Sequence, residues 1–285
     1  MTEKLKSLFS LHFSIILFGF AGLFGRMQVP SIVVVLGRVF FASLFLMILS
    51  ASYKRKEKIS FKNLTVLFGA GILLALHWLT FFHSIALSSV SVGLISFSTF
   101  PVFVVFMEPL FFKTKIKTAH IAAAFVVFSA IFLIIPDYDF SDNITQGVVW
   151  GVFSGFLFSL ITLINRKFVR DIHPVKIAFI QDSAAFFTLI PFGYSFLPSL
   201  SITNVMMLIL LGVFCTGIAH TFYIFGLKHS TARKASILTS MEPVYGALAA
   251  FVIFHETPGL KVIAGGIIIV AVSIFISFSE NRNSQ

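Results

Sequence analysis

Two stretches of this 285-residue chain, STFPVFVVFMEPLFF at 98–112 and SMEPVYGALAAFVIF at 240–254, stand 142 positions apart and read as copies of one pattern. Laid on each other, they bring Pro101 onto Pro243, Val102 onto Val244 and Phe112 onto Phe254. Over residues 88–134 the same shift keeps nine of 47 residues identical, which is weak by itself; the alignment of whole apolar runs carries the repeat. A window starting at Arg38 aligns with one starting at Gln181 at nearly the same offset.

Working outward from this pair, apolar runs recur at about residues 7–25, 31–52, 63–84, 87–111, 118–135, 146–165, 175–192, 204–226, 233–254 and 260–279. Each reaches or approaches the roughly 20 residues that carry a helix across about 30 Å of hydrocarbon. They are continuous rather than alternating, so they read as helices and not barrel strands. The composition agrees: 58% hydrophobic and 11% charged, against about 25% charged in soluble chains, leaves no water-facing surface and no room for a soluble catalytic domain. The first run follows Lys4 and Lys6 like a signal peptide, but Phe20, Leu23 and Phe24 crowd the region where cleavage would fall, so we expect a span.

The basic residues test that count. With the N-terminus placed in the cytoplasm, eighteen of the 21 Lys and Arg fall on the cytoplasmic side, from Lys4 and Lys6 through the 54–62, 113–117, 166–176 and 228–234 clusters to Arg282. Outside loops keep Arg26 and Lys261, and one arginine, Arg38, lies within a span. Asp137, Asp139 and Asp142 sit in an outside loop free of lysine and arginine. An error of one span would scramble this positive-inside alternation. It predicts an all-α integral membrane protein of ten transmembrane helices, both termini cytoplasmic, and explains the net charge of +10 without nucleic acid. A five-span repeat is odd, so the second copy enters the membrane from the opposite side. Two inverted repeats are expected, at 1–137 and 146–279, followed by a tail at 280–285. Secondary transporters commonly use this architecture, with the substrate site at the midplane where the copies meet.

Beyond architecture, the wording MEPVYGALAAFVIFHE at 241–256, with the weaker copy FPVFVVFMEPLFFKT at 100–114 in which Thr114 takes the place of Glu256, resembles the EamA-type members of the drug/metabolite transporter superfamily. The resemblance covers essentially the whole chain. It implies a carrier of the inner (plasma) membrane, often an exporter of amino acids or related metabolites, with a small-molecule substrate, the lipid bilayer as surroundings and a central cavity lined from both halves. It does not specify the substrate.

Ionisable groups inside spans cost about 2.5–3.5 kcal/mol each on insertion scales and are functional candidates by default. Glu242, nine residues into its span and directly before Pro243, admits two readings: a site for a substrate ammonium or coupling proton, or a neutral carboxyl that pins two helices. Asp182, with Gln181 before it, reads as cavity lining or a buried interhelical bond. Arg38 could hold an anionic group of the substrate or pair with Asp182 or Glu242. Glu108, near the cytoplasmic end of the fourth span, suits a gate-like ion pair with Lys113 or Arg166, or a plain interfacial position. His77, Trp78 and His220 coincide when the halves are aligned, and with Tyr223 and Tyr245 they are candidates for a cavity wall, packing being the alternative. Pro101 and Pro243 read as matched kinks or hinges. Gly147, Gly151 and Gly155 form a small-residue face for close packing within the chain or between copies, so oligomeric state stays open.

No catalytic, metal or cofactor site is expected. The chain has no G-x-x-x-x-G-K-[ST] phosphate loop, HETPG at 255–259 lacks the second histidine of H-E-x-x-H, and GVFSG at 151–155 is not G-x-S-x-G. The single cysteine, Cys215, lies in an apolar run.

Overall fold

The computed structural model describes residues 2–52, 58–134 and 141–282. Asp137 and Asp139, the end of the first repeat at 137, and Lys54, Arg55 and Lys56 of the basic clusters lie outside the described residues. Among the described residues all regular structure is helical. The α-helices are α1 Glu3–Ala21, α2 Ser31–Ala51, α3 Phe61–Leu87, α4 Val90–Phe97, α5 Phe100–Phe112, α6 Thr118–Ile134, α7 Asn143–Phe168, α8 Pro174–Gly193, α9 Ile202–Gly212, α10 Ala219–Leu227, α11 Ala232–Thr239, α12 Glu242–Phe254 and α13 Leu260–Arg282. A π-helical turn, Val213–Ile218, joins α9 to α10.

Among the described residues, eight helical segments are long and apolar enough to cross a membrane; Ile121–Leu133 and Leu260–Val272 are shorter apolar helices. These two occupy the places of the expected fifth and tenth spans, and they pack against each other. Their outward side chains, such as Phe125, Phe132 and Ile267, are exposed, as a lipid-facing surface requires.

Helix boundaries recur at the shift of 142 residues: α4 Val90–Phe97 matches α11 Ala232–Thr239, and α5 Phe100–Phe112 matches α12 Glu242–Phe254. The local chemistry recurs with them. Ser89 and Thr231 each cap a helix by accepting from the amide three residues on, at 3.1 and 3.2 Å, one of the standard ways to satisfy an orphan N–H. Lys113 and His255 each end the following helix in the left-handed conformation, at φ 52° and 53°. Each of these two apolar runs is therefore interrupted midway, at Ser98–Thr99 and at Ser240–Met241, and Pro101 and Pro243 stand in the first turn of the second piece, where a missing N–H costs nothing.

The halves interlock. α7 lies against α3, α4 and α5, while α1 lies against α10, α11 and α12, so the opening helix of each half packs on the middle helices of the other. Glycines permit the approach. A Cβ at Gly147 would meet the side chain of Ser88, and one at Gly155 would meet the carbonyl of Phe97, so the Gly147–Gly151–Gly155 face packs inside the chain.

Candidate functional site

Between α1, α2, α3, α4, α7, α10 and the start of α12 lies a small chamber lined by Phe18, Arg38, Leu74, His77, Trp78, Phe81, Phe97, Phe158, His220 and Glu242, with Ala21 completing the wall. Its volume is about 30 Å³. Roughly 10–15 Å³ on this measure admits one water, and ligand pockets begin near 300 Å³, so the chamber as it stands admits water and no metabolite.

Arg38 is the largest fully buried side chain, 1% exposed in the middle of α2. Its guanidinium stacks over Trp78 at 4.0 Å from the ring centre and faces Phe82 at 5.3 Å. Nε donates to Thr216 Oγ1 at 2.9 Å and Nη2 to the Cys215 carbonyl at 3.2 Å. Both acceptors belong to the π-helical turn, whose widened register frees carbonyls that an α-helix would consume; Thr216 Oγ1 itself donates to the Leu211 carbonyl, five residues back, at 2.8 Å. Asp182 and Glu242 are within electrostatic reach of Arg38 but form no salt bridge with it. The direct pairing entertained from the sequence is thus replaced by a cation–π stack and two neutral acceptors, which leave further guanidinium N–H groups for an anion.

Glu242 opens α12 at the break and turns its buried carboxylate to the chamber, without a hydrogen bond or ion pair to a described residue. A helix N-terminus is a favourable place for a negative charge. Asp182 is fully buried on α8, behind the chamber, and its Oδ1 lies 3.5 Å from Nδ1 of His220, which lines the chamber. Neither carboxylate oxygen of Asp182 and neither ring nitrogen of His220 is otherwise bonded. His220 in turn meets Trp78 edge-on at 6.1 Å. His77 is held by Ser154, whose Oγ is 2.7 Å from Nδ1 and donates to the His77 carbonyl at 3.0 Å. Arg38, Trp78, His77, His220 and Glu242 thus share one chamber, backed by Asp182.

The remaining candidates stand apart. Gln181 donates to Asn165 Oδ1 at 2.6 Å beside the α3–α8 contact. Tyr223 is buried behind the wall, bonded to Thr162 at 3.0 Å and packed on Phe18 and Phe158. Tyr245 packs against Gly19 of α1, outside the chamber lining.

Compared with known proteins, residues 5–135 and 145–278 each match the EamA-like transporter family. The chain belongs to that family. It is a multi-pass membrane transporter. Over 278 residues it is 25% identical to "Uncharacterized transporter YxxF" of Bacillus subtilis (strain 168), covering 94% of this chain and 88% of the relative. It is 22% identical over 249 residues to a protein of Rickettsia bellii (strain RML369-C) named "S-adenosylmethionine uptake transporter", covering 86% of this chain and 83% of the relative. A crystal structure matches at a TM-score of 0.69 over 98% of this chain and 99% of its own, at 15% identity, a likeness of fold alone.

In this EamA-family chain the ends of the interrupted helices are tied crosswise. At one end Glu108 of α5 forms an ion pair with Arg233 at the start of α11, both nearly buried, and Arg233 Nη2 also donates to Thr114 at 3.0 Å. Arg233, delivered by the turn of α11, is a partner of Glu108 that the sequence reading does not name; of the two it names, Arg166 lies within electrostatic reach of Glu108. At the other end Glu256, following α12, accepts from the amides of Val90 and Ser91 at the start of α4, at 3.3 and 3.0 Å, and from Arg26 at 3.4 Å. Sequence reasoning misses these two ties, because Arg233 reads as one of the cytoplasmic basic residues and Glu256 as part of a family signature. Thr216, Ser154 and Asn165 were missed as well; Asn165, an amide within an apolar run, was the one legible signal.

Proposed function

We propose that this transporter is a secondary carrier of small charged polar metabolites, amino acids or their derivatives, working by alternating access with export as its direction. The carrying observation is the chamber itself, where a free Glu242 carboxylate, spare Arg38 N–H groups and the His220–Asp182 pair converge between interrupted helices. A carboxylate and a guanidinium on one chamber suit the ammonium and carboxylate of an amino acid. His220 against Asp182 suits a coupling proton, since an imidazole ring has both a donor and an acceptor nitrogen. The reading takes the chain as ten spans, two inverted repeats at 1–137 and 146–279 and both termini cytoplasmic in the inner membrane. The crosswise ties support it: Glu108–Arg233 and Glu256–Val90/Ser91 join the interrupted helices at opposite ends, and releasing one tie at a time would open a path to the chamber alternately.

The test is counterflow in proteoliposomes with a panel of labelled amino acids, with and without a pH gradient. Glu242→Gln with Asp182→Asn should abolish flux while membrane insertion persists; wild-type flux from that variant would refute the site. A second reading, import or exchange of a larger metabolite such as a nucleotide-like cofactor, has its own support in the aromatic walls Phe18, Trp78, Phe81, Phe97 and Phe158 and in the name of the Rickettsia relative. S-adenosylmethionine therefore belongs in the panel, and exchange of it alone would favour that reading. Downhill flux without counterflow would instead identify a facilitative channel.

A further inference from the structure

A second, larger cavity of about 540 Å³ lies away from the chamber, between the start of α1, the end of α7 and the α10–α11 junction. Lys4, Arg166 and Lys234 line it, together with His229 and the aliphatic side chains of Leu5, Leu8, Leu11 and Leu238. Among the described residues none of the three cations forms a salt bridge. Of the neighbouring acids, Glu3 is spent on Lys6 at 2.7 Å, with His229 at 3.8 Å, and Glu108, in electrostatic reach of Arg166, is paired with Arg233. Arg166 makes one long bond, to the Lys228 carbonyl at 3.4 Å.

The repeat supplies an internal control for this cavity. Shifted by 142 residues, the same interface lies between α7 and the α3–α4 junction, and there it is closed: Gly147 sits against Ser88, and Ser84 Oγ donates to the Gly147 carbonyl at 2.5 Å. Leu5 stands where Gly147 does; α1 still meets α10 at Ser7, whose Oγ donates to the Gly226 carbonyl, and the cavity persists beside that contact. The cations also belong to this copy alone, since Lys4, Arg166, His229 and Lys234 correspond to Gln146, Phe24, Leu87 and Val92. A general excess of positive charge on one face explains cations, but not a cavity that concentrates three of them over an aliphatic wall.

We infer that this cavity binds the phosphate headgroup of an anionic phospholipid. Lys4, Arg166 and Lys234 supply the charge, as basic pockets between membrane helices do. Leu5 and Leu8, 51% and 42% exposed along the outer face of α1, leave the aliphatic side open for an acyl chain. That open apolar flank is what selects a lipid over a free phosphate.

The experiment is native mass spectrometry of the full-length transporter with phosphatidylglycerol and phosphatidylcholine as probes. Wild type should retain phosphatidylglycerol in preference. With each charge worth about fivefold, the Lys4→Gln, Arg166→Gln, Lys234→Gln variant should lose about a hundredfold in that retention. A Lys58→Gln, Lys62→Gln, Lys115→Gln variant, which removes equal charge elsewhere, should keep it. Equal loss in both variants, or no loss in the first, overturns the site. Displacement by inorganic phosphate or glycerol phosphate at the lipid's own concentration would make it a soluble-anion site and overturn the lipid assignment. Should the triple variant not stay monodisperse, Lys234→Gln alone decides: about fivefold weaker retention supports the site and unchanged retention refutes it.

Discussion

Removing the charge from the Glu108–Arg233 tie gives a quantitative handle on how the chamber is kept shut. Both side chains are nearly buried, and Arg233 is also bonded to Thr114, so the tie is a charge-assisted contact within the helix ends. A hydrogen bond to a charged group contributes about 1.5–3 kcal/mol. If it exists only while this end is closed, its loss moves the equilibrium toward the open form by about 10- to 100-fold, at about 1.4 kcal/mol per factor of ten. An open form populated at about 1% would then rise to roughly 10–50%. Glu108→Gln is the gentler change. Arg233→Gln removes the ion-pair partner of a buried carboxylate rather than the carboxylate's charge, costs the closed form more, and should open it further. The double variant should fall short of the sum of the two single effects, because each single change already forfeits the shared contact.

Trp78 makes the readout direct, because it lines the chamber and the second tryptophan, Trp150, is exposed on α7. In a Trp150→Phe background, opening wets the remaining indole, shifting its emission to the red and admitting an ionic quencher. In proteoliposomes of defined orientation, Glu108→Gln should admit quencher from the face that carries Lys4 and Lys234, and Glu256→Gln from the opposite face. Unchanged emission and quenching in both variants, or access from the same face in both, would refute the two-tie account.

Two further perturbations follow from the packing. Arg38→Lys forfeits the stack at 4.0 Å over Trp78 and the forked donation to Thr216 and Cys215, which a point-charge ammonium cannot reproduce, so counterflow should fall at least about tenfold with the protein still folded; wild-type counterflow would show that the guanidinium geometry is irrelevant. A Cβ at Gly71 would collide with the Gln181 carbonyl and Ala184, whereas one at Gly69 meets nothing within 4 Å, so Gly71→Leu should cost about 1–3 kcal/mol or more and lower the thermal midpoint in detergent while Gly69→Leu leaves it unchanged; equal midpoints would contradict the α3–α8 contact.

Much of the architecture could be read from the chain because lipid imposes a simple rule on composition. Long uninterrupted apolar runs must be helices, and the Pro101–Pro243 register announced an internal repeat whose helix boundaries recur at the predicted shift of 142 residues. Arg38, Asp182 and Glu242 were legible for the same reason: a charge within an apolar run is too costly to be idle. The interruptions at Ser98–Thr99 and Ser240–Met241 were only half legible, since proline suggests a kink and the full break lies two residues before it. The π-helical turn at Val213–Ile218 has no proline, and it left no mark in the sequence at all.

What the sequence determined by itself is the membrane class, the repeat and the short roll of buried charges, because these depend on residue type and spacing along one chain. Partnership was decided only in three dimensions. Arg38 meets Thr216 across 178 positions, Glu256 meets Val90 across 166, and Glu108 meets Arg233. Such pairs are fixed by how the opening helix of each half is wedged against the other. A carboxylate or guanidinium announces that it needs a partner, but the packing chooses which one it reaches.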